Sequence, residues 1–233
     1  MKRFYKEATV GEGNRILLDG RPVRTPGRVP LALPNARLAE AIADEWTAQG
    51  KDIDPRAMRL TGLANAAIDR IAPDPAAFAQ GLAAYGESDL LCYRADGPAA
   101  LVARQIEMWE PPLAWARARY DVKFEVVAGI IHKPQPPETV ARLAAALAAR
   151  DPFELAGLSP LVTISGSLIV ALALAEGAIG LDAAWAAAAL DELWQAQNWG
   201  EDADAARALA ARRADFAAAA RFLSLLDPLA RSS

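Results

Sequence analysis

Near its start the chain reads Arg15-Ile16-Leu17-Leu18-Asp19-Gly20-Arg21-Pro22-Val23-Arg24. Asp-Gly between two such runs is the strongest short-range sign of a β-hairpin. Pro22 cannot donate a hydrogen bond to a neighbouring strand, so the second arm is expected at a sheet edge or as an irregular strand. Further strands are predicted at residues 4–10 and 29–33. Residues 1–34 are therefore predicted to form a small β-rich domain.

The pattern changes to helical at Asn35, a residue type that caps helices. Apolar residues recur at helical spacing from Leu38 to Trp46, and Gly50 is a typical terminator. A strand is also expected at 121–131, because it is rich in β-forming residues. Further helices are predicted at 60–71, 73–85, 99–120 (with Pro111-Pro112 as a break or kink), 138–149, 160–175, 183–198 and 203–226. The expected fold is α+β and mostly α-helical, with a β-rich domain at 1–34 and an α-helical domain at 35–233.

Composition narrows the class of protein. The 233 residues carry a net charge of −4, which argues against nucleic acid as the partner, since duplex binding rests on clustered Lys and Arg. Cys92 is the only cysteine, so neither an intrachain disulfide nor a cysteine-based zinc site is possible. The N-terminus does not resemble a secretory signal. A cytoplasmic bacterial protein is expected, or a mitochondrial matrix protein if the chain is a trimmed eukaryotic form.

One uncharged stretch has to be examined as a possible membrane span. No charged residue lies between Glu154 and Glu176, which reaches the length of a transmembrane helix. Ser159-Pro160 is typical of a helix start, which would leave a helix of roughly 24 Å at ~1.5 Å per residue. That is shorter than the hydrocarbon core of a bilayer, so we predict one buried central helix over 160–175.

Three residues could support an enzyme. His132 is the only histidine, and Glu87 and Asp89 form an acidic pair beside an apolar run. Paired carboxylates can divide acid and base roles when their pKa values differ. The alternative function is therefore a small-molecule enzyme that uses these three residues in an interdomain cleft, and it requires a deep pocket that encloses them. The competing interpretation is that the acids are turn and helix-end residues.

The segment 183–198 is the most informative for binding. If it is one helix, Trp185, Glu192 and Trp199 lie on one face at seven-residue intervals, opposite the apolar face. It also falls within a stretch, 151–206, that contains no Lys, Arg or His. Aromatic residues ringed by acids are typical of a protein-binding hot spot. The spacing equally allows a buried helix in which Glu192 pairs with Arg207 or Arg213.

Motifs along nearly the whole chain make it resemble a known family. These motifs are residues 18–26 (LDGRPVRTP), 43–46 (ADEW), 60–69 (LTGLANAAID), 85–94 (YGESDLLCYR), Gln105 with 109–111 (WEP), 166–168 (GSL) and 191–195 (DELWQ). Together they resemble the F1-ATPase assembly chaperone family, in the branch that acts on the alpha subunit of ATP synthase. The match is specific because the motifs occur together and in order.

This resemblance implies a β part followed by a helical domain, without catalytic activity or a cofactor. It implies a chaperone that binds the unassembled alpha subunit of F1-ATPase and protects its interface until the beta subunit replaces it. We also expect the chain to be monomeric. An exposed subunit interface is prone to aggregation, so such protection is physically reasonable. The hypothesis for the contact is the acidic tryptophan surface, whose residues are Trp185, Asp191, Glu192, Trp199, Glu201, Asp202 and Asp204.

Overall fold

The computed structural model describes residues 1–129, 131–200 and 202–226. Its strands are β1 (Ala8–Gly11), β2 (Arg15–Leu18), β3 (Arg21–Pro22), β4 (Tyr93–Arg94) and β5 (Val127–Ala128). Its α-helices are α1 (Ala36–Thr47), α2 (Arg59–Ala66), α3 (Pro75–Ala83), α4 (Ala99–Tyr120), α5 (Pro137–Ala148), α6 (Pro152–Ser165), α7 (Leu168–Ala175), α8 (Leu181–Ala188), α9 (Leu190–Trp199) and α10 (Ala203–Leu226). The predicted fold class, α+β and mostly α-helical, is confirmed.

The predicted hairpin is present. Strands β1, β2 and β3 form an antiparallel sheet in that order, and Leu18 pairs with Arg21 across the turn. Asp19 and Gly20 have φ values of 48° and 75°, as a two-residue hairpin turn requires. The Asp19 carboxylate accepts hydrogen bonds from the backbone N–H groups of Lys6 and Glu7, which lower its pKa. Residues 29–33, predicted as a strand, form only isolated bridges.

The chain divides into two compact units. Unit 1 contains Met1–Pro75, Asp151–Gly157 and, at the end of the described chain, residues 221–226. Unit 2 contains Ala76–Arg150 and Leu158–Ala220. Helices α1 and α2 thus belong to the same unit as the N-terminal sheet, whereas the sequence-based division at residue 34 follows the change from strand to helix.

Unit 1 has its core where α1 packs on β1 and β2. Ile16, Leu38, Ile42 and Leu60 are all at most 2% exposed there, and Phe222 joins the same cluster. Burying such side chains contributes about 1.5–3 kcal/mol each. The apolar side chains that alternate along β2 and those at helical spacing along α1 therefore pack into one core.

Two carboxylates from the motifs that carry the family resemblance accept hydrogen bonds from the backbone of unit 1. Glu45 accepts hydrogen bonds from the N–H groups of Leu60 and Thr61 and from the Thr61 hydroxyl, each at 2.8 Å. It therefore caps the start of α2, where N–H groups lack helical partners. Asp69 accepts from the Thr25 hydroxyl at 2.6 Å and from the N–H of Gly27 at 2.8 Å. Both acids stabilise the fold locally.

Helix α7 is the centre of unit 2. Residues 168–173 are all 0% exposed, and α7 packs against α4 and α8. The Trp109 side chain of α4 is also wholly buried, and its indole N–H donates to the carbonyl of Ala187. Over residues 1–129, 131–200 and 202–226, no helix is both long and apolar enough to cross a membrane.

The single helix predicted over 160–175 is wrong. Helix α6 starts earlier, at Pro152, because Asp151 accepts hydrogen bonds from the N–H groups of Phe153 and Glu154 and so caps it. It continues through Pro160 to Ser165. Gly166 then takes a φ of 66°, a conformation that favours glycine and ends a helix. The Ser167 hydroxyl caps α7 by accepting from the N–H of Val170.

Helix α4 has the predicted bounds, Ala99–Tyr120, and both Pro111 and Pro112 lie inside it without ending it. A second predicted feature of unit 2 differs from the structure. The strand predicted over 121–131 is limited to β5, which pairs in parallel with β4. The preceding backbone is held by side chains instead: Thr139 bonds to the backbone of Lys123, and Gln135 bonds to that of Glu125. These bonds leave no continuous strand ladder.

Candidate protein-binding site

The segment 183–198 forms two helices rather than the single one predicted. Helix α8 ends at Ala188, and α9 begins at Leu190. Ala189 lies between them with φ −102° and ψ 11°, outside helical geometry. Trp185 therefore lies on α8, whereas Glu192 and Trp199 lie on α9. Because the helical phase is interrupted, the predicted Trp185/Glu192/Trp199 face does not exist as one surface.

The two tryptophans have opposite environments. Trp185 is 6% exposed and packs against Phe216 with ring centroids 5.7 Å apart. Trp199, at the end of α9, is 77% exposed. The prediction that Trp185 is part of an exposed contact surface is therefore wrong, because its ring belongs to the core of unit 2. Trp199 remains as a large apolar side chain exposed to solvent.

Trp199 borders a groove formed by α9 and α10, here called the α9–α10 groove, of about 430 Å³. Its apolar lining includes Ala196, Ala205 and Leu209, and its polar lining includes Glu192 and Asp202. On α10, residues 205, 208, 209 and 212 all line the groove, which is the three- and four-residue spacing of one helix face. The groove is thus an apolar channel with an exposed indole and carboxylates at its rim.

The acids of this region are largely paired with arginines of α10. Glu192 forms an ion pair with Arg212, and not with Arg207 or Arg213 as the buried-helix interpretation expected. Arg207 pairs with Asp204, and Arg213 pairs with Asp182 at 2.9 Å. These pairs reduce the negative charge that the sequence alone indicates. They also fix the Glu192 carboxylate at the groove rim.

The remaining predicted site residues have different surroundings. Asp191 accepts a hydrogen bond from the Gln105 side chain of α4 at 2.8 Å, so it connects two helices inside unit 2. Asp202 is exposed, and its carboxylate lies 3.3 Å from the N–H of Ala205 in the first turn of α10. Glu201 lies outside the described residues. The structure therefore places Glu192, Trp199 and Asp202 together at one groove, without Trp185.

Asp89, Glu87 and His132 do not form the pocket that the enzyme alternative requires. Asp89 is 0% exposed. Its carboxylate accepts from the N–H of Leu91 at 3.0 Å, the Ser167 hydroxyl at 2.7 Å and the N–H of Ile169 at 3.0 Å. Glu87 and His132 are exposed, and His132 bonds to the Tyr93 hydroxyl. Among the described residues, no hydrogen bond or ion pair joins any two of the three.

Burial raises the pKa of Asp89 to about 6, against the lowering effect of its hydrogen bonds to Ile169, Ser167 and Leu91. This perturbation is a consequence of its position at the buried start of α7, where the carboxylate satisfies helix N–H groups. Its oxygens are thus engaged in capping and cannot reach a substrate. The turn and helix-end interpretation therefore describes Asp89.

Cysteine and metal chemistry receive no support. Cys92 is fully buried, and burial raises the pKa of its thiol to about 12, which keeps it protonated and unreactive. The described part of the chain contains no group of three or more His, Cys, Asp or Glu side chains that could hold a metal ion.

Comparison with known proteins identifies the family of this chain. The model of the ATP12 chaperone protein family matches residues 2–117. The crystal structure of Atp12 from Paracoccus denitrificans is 44% identical, with 97% of this chain and 98% of that one covered and a TM-score of 0.91. The chain belongs to the ATP12 chaperone family. The family assignment made from the sequence motifs is thereby confirmed.

Two further structures of this group are similar. An aspartate-to-lysine mutant of P. denitrificans Atp12p is 43% identical over 97% of this chain and 98% of that one, with a TM-score of 0.91. The Atu1473 protein from Agrobacterium tumefaciens is 45% identical over 97% of this chain and 86% of that one, with a TM-score of 0.92. The ATP12 fold thus extends over nearly the whole chain.

Sequence reasoning missed the α10 side of the groove. The three- and four-residue spacing of its lining was a usable signal, but the alanines that carry it are common throughout this chain. The break at Ala189 has no such signal, since alanine is the strongest helix former.

Proposed function

We propose that this member of the ATP12 family is an F1-ATPase assembly chaperone that binds the unassembled alpha subunit. In this proposal it covers the interface of the alpha subunit until the beta subunit takes its place, and it catalyses no reaction. It acts in the bacterial cytoplasm or the mitochondrial matrix. The observation that carries the proposal is the 77% exposure of Trp199 beside the α9–α10 groove.

The groove has the chemistry of a reversible protein contact. Tryptophan is enriched among the residues that contribute most to binding, and the apolar channel beside it can accept a side chain of the partner. The groove has a volume of about 430 Å³, so it can accept a few side chains of the partner. A chaperone that has to be displaced by another subunit benefits from a contact that is smaller than a permanent interface.

The charged residues of the rim give the contact a weakly negative balance. Glu192, Asp202 and Arg212 border the groove, and the ion pair between Glu192 and Arg212 leaves the charge of Asp202 uncompensated within this lining. Rim charges chiefly affect orientation and association rate rather than affinity. We therefore expect the surface of the alpha subunit that enters the groove to be apolar with basic residues at its edge.

The experiment is an aggregation assay on the isolated alpha subunit. Unfolded alpha subunit is diluted into buffer with and without this protein, and light scattering is followed. The proposal predicts that the wild-type chain suppresses scattering and that Trp199→Ser loses most of this effect. Later addition of beta subunit should transfer the alpha subunit from the chaperone into an alpha–beta complex.

The matched control is Ile131→Ser. Ile131 is 82% exposed and lies outside the α9–α10 groove, so the variant removes a similar apolar surface elsewhere in unit 2. It should suppress scattering as well as the wild type does. If Trp199→Ser protects the alpha subunit fully while it is folded by circular dichroism, the groove is not the contact.

A further inference from the structure

A second cleft, in unit 1, has the opposite charge from the α9–α10 groove. It has a volume of about 700 Å³, and its lining includes Phe4, Tyr5, Trp46, Arg21 and Arg24. We call it the N-terminal cleft. We propose that it binds an acidic segment of a partner protein, with apolar side chains against its aromatic wall and carboxylates beside its arginines.

The aromatic wall is ordered before anything binds. The rings of Phe4 and Tyr5 meet edge to face at 5.5 Å, and those of Tyr5 and Trp46 at 5.7 Å. The Tyr5 hydroxyl donates to the carbonyl of Trp46 at 2.6 Å. Arg3 holds the segment by donating to the carbonyls of Gln49 at 2.6 Å and Lys6 at 3.0 Å. A pre-organised wall reduces the entropy that a ligand has to offset.

Exposure indicates that this wall is a contact surface. Phe4 is 66% exposed, although its ring already meets the Tyr5 ring edge to face. Tyr5 is 5% exposed and Trp46 is half-buried, so Phe4 is the ring that a partner can contact most fully. An exposed apolar group with a polar rim is typical of an interaction site. The wall thus offers apolar contact area at the mouth of the cleft.

Charge decides which partner fits. Arg21 and Arg24 line the cleft and are exposed. Residues 1–28 contain seven basic residues against three acidic ones. The one acid in the lining, Asp19, already accepts hydrogen bonds from the N–H groups of Lys6 and Glu7. The cleft therefore attracts carboxylates, while the α9–α10 groove in unit 2 has carboxylates of its own.

The positions of the tryptophans allow a direct test on the full chain. Trp46 is the only tryptophan in unit 1, and Trp199 borders the groove of unit 2. Their indole N–H resonances, assigned in a ¹⁵N NMR spectrum with Trp46→Phe and Trp199→Phe, report on the two surfaces separately. The probes are a short peptide of repeated Leu-Ser-Glu, its Leu-Ser-Lys counterpart and an oligothymidylate.

We expect the glutamate peptide to shift the Trp46 resonance, and the lysine peptide and oligothymidylate to leave it in place. Arg21→Glu should weaken the affinity for the glutamate peptide at least about threefold, since it replaces an attraction at the cleft with a repulsion. Phe4→Ser should weaken it as well. Arg15→Glu makes the same charge change on an exposed residue that does not line the cleft and should leave the affinity unchanged.

Several results would overturn the proposal. They are a Trp46 resonance that does not move, an equal response to the lysine peptide or to oligothymidylate, and an equal loss of affinity with Arg15→Glu. The last result would mean that the attraction comes from the general charge of the N-terminal region rather than from the cleft. None of these outcomes depends on whether the α9–α10 groove binds the alpha subunit.

Discussion

Replacing Asp89 with asparagine should change how the stability of the protein depends on pH. Asp89 is fully buried at the start of α7 and accepts hydrogen bonds from Leu91, Ser167 and Ile169. Asparagine has almost the same shape but carries no charge at any pH. The difference in unfolding free energy between the wild type and Asp89→Asn therefore isolates the titration of this one carboxyl group.

The sign and size of the effect follow from the pKa values. The ordinary pKa of an aspartate, which applies to the unfolded chain, is 3.8, and burial raises the pKa of Asp89 to about 6 in the folded protein. Between pH 4 and pH 6 the folded state therefore binds more protons than the unfolded state. Stability then falls as pH rises through this window. A difference of about two pKa units corresponds to about 3 kcal/mol over the whole titration, of which about 2 kcal/mol falls between pH 4 and pH 6. Above about pH 7, where Asp89 is ionised in both states, the difference between the two proteins should become constant.

The assay is urea unfolding followed by far-UV circular dichroism at pH 4, 5, 6 and 7. Relative to Asp89→Asn, the wild type should lose about 2 kcal/mol between pH 4 and pH 6. The control is Asp182→Asn, the same chemical change at a side chain that is 88% exposed, which should stay within about 1 kcal/mol of the wild type. A difference that is independent of pH, or a wild type that gains stability as pH rises, would refute the reasoning.

Three other predictions concern stability, and urea unfolding measures each of them. Trp185→Ala should cost about 3–5 kcal/mol because it leaves a cavity in a core, whereas Trp199→Ala should cost less than about 1 kcal/mol because its side chain is exposed; equal costs would contradict the assignment of Trp185 to the core. Glu45→Ala should cost about 2 kcal/mol or more, since three donors at the start of α2 lose their acceptor, and a cost below about 0.5 kcal/mol would mean that Glu45 does not cap this helix. Glu192→Gln should cost less than about 1 kcal/mol, and the cost should shrink in high salt, as for an exposed ion pair; a larger loss that salt does not change would show that the pair with Arg212 is part of the core.

The parts of the fold that could be predicted are those with strong local signals. Asp19-Gly20 determines its turn because both residues adopt positive φ values, which Asp and Gly tolerate. Asn35 caps α1 by accepting from the N–H of Leu38 at 2.9 Å, as its residue type predicts. In both places a short polar or glycine residue satisfies the backbone within a few positions, so the sequence is sufficient.

The errors have two causes. One is a competing local signal: Ser159-Pro160 is typical of a helix start, yet α6 begins at Pro152 under the cap of Asp151 and continues through Pro160. The other is contacts that are distant in sequence. The residues after Tyr120 favour a strand, but Thr139 and Gln135 hold their backbone from another segment. Periodicity cannot reveal such partners because they are remote in sequence.

The site was predictable only in part. Trp199 and Glu192 could be placed on a helix with acids nearby. Grouping them with Trp185 on one face required an unbroken helix, and the helix is interrupted at Ala189. The arginines at 207, 212 and 213 are visible in the sequence, while their individual partners depend on how α10 lies against α8 and α9. The structure therefore replaces a long acidic stripe with one groove and one exposed indole.

The most direct test of this account is the affinity of the isolated alpha subunit for the wild-type chain and for Trp199→Ser, measured side by side by fluorescence anisotropy with labelled alpha subunit. The account predicts that the loss of the exposed indole weakens binding at least about tenfold, as for a central interface tryptophan, while Ile131→Ser binds as the wild type does. Equal affinities for the wild type and Trp199→Ser would contradict the claim that the α9–α10 groove binds the alpha subunit.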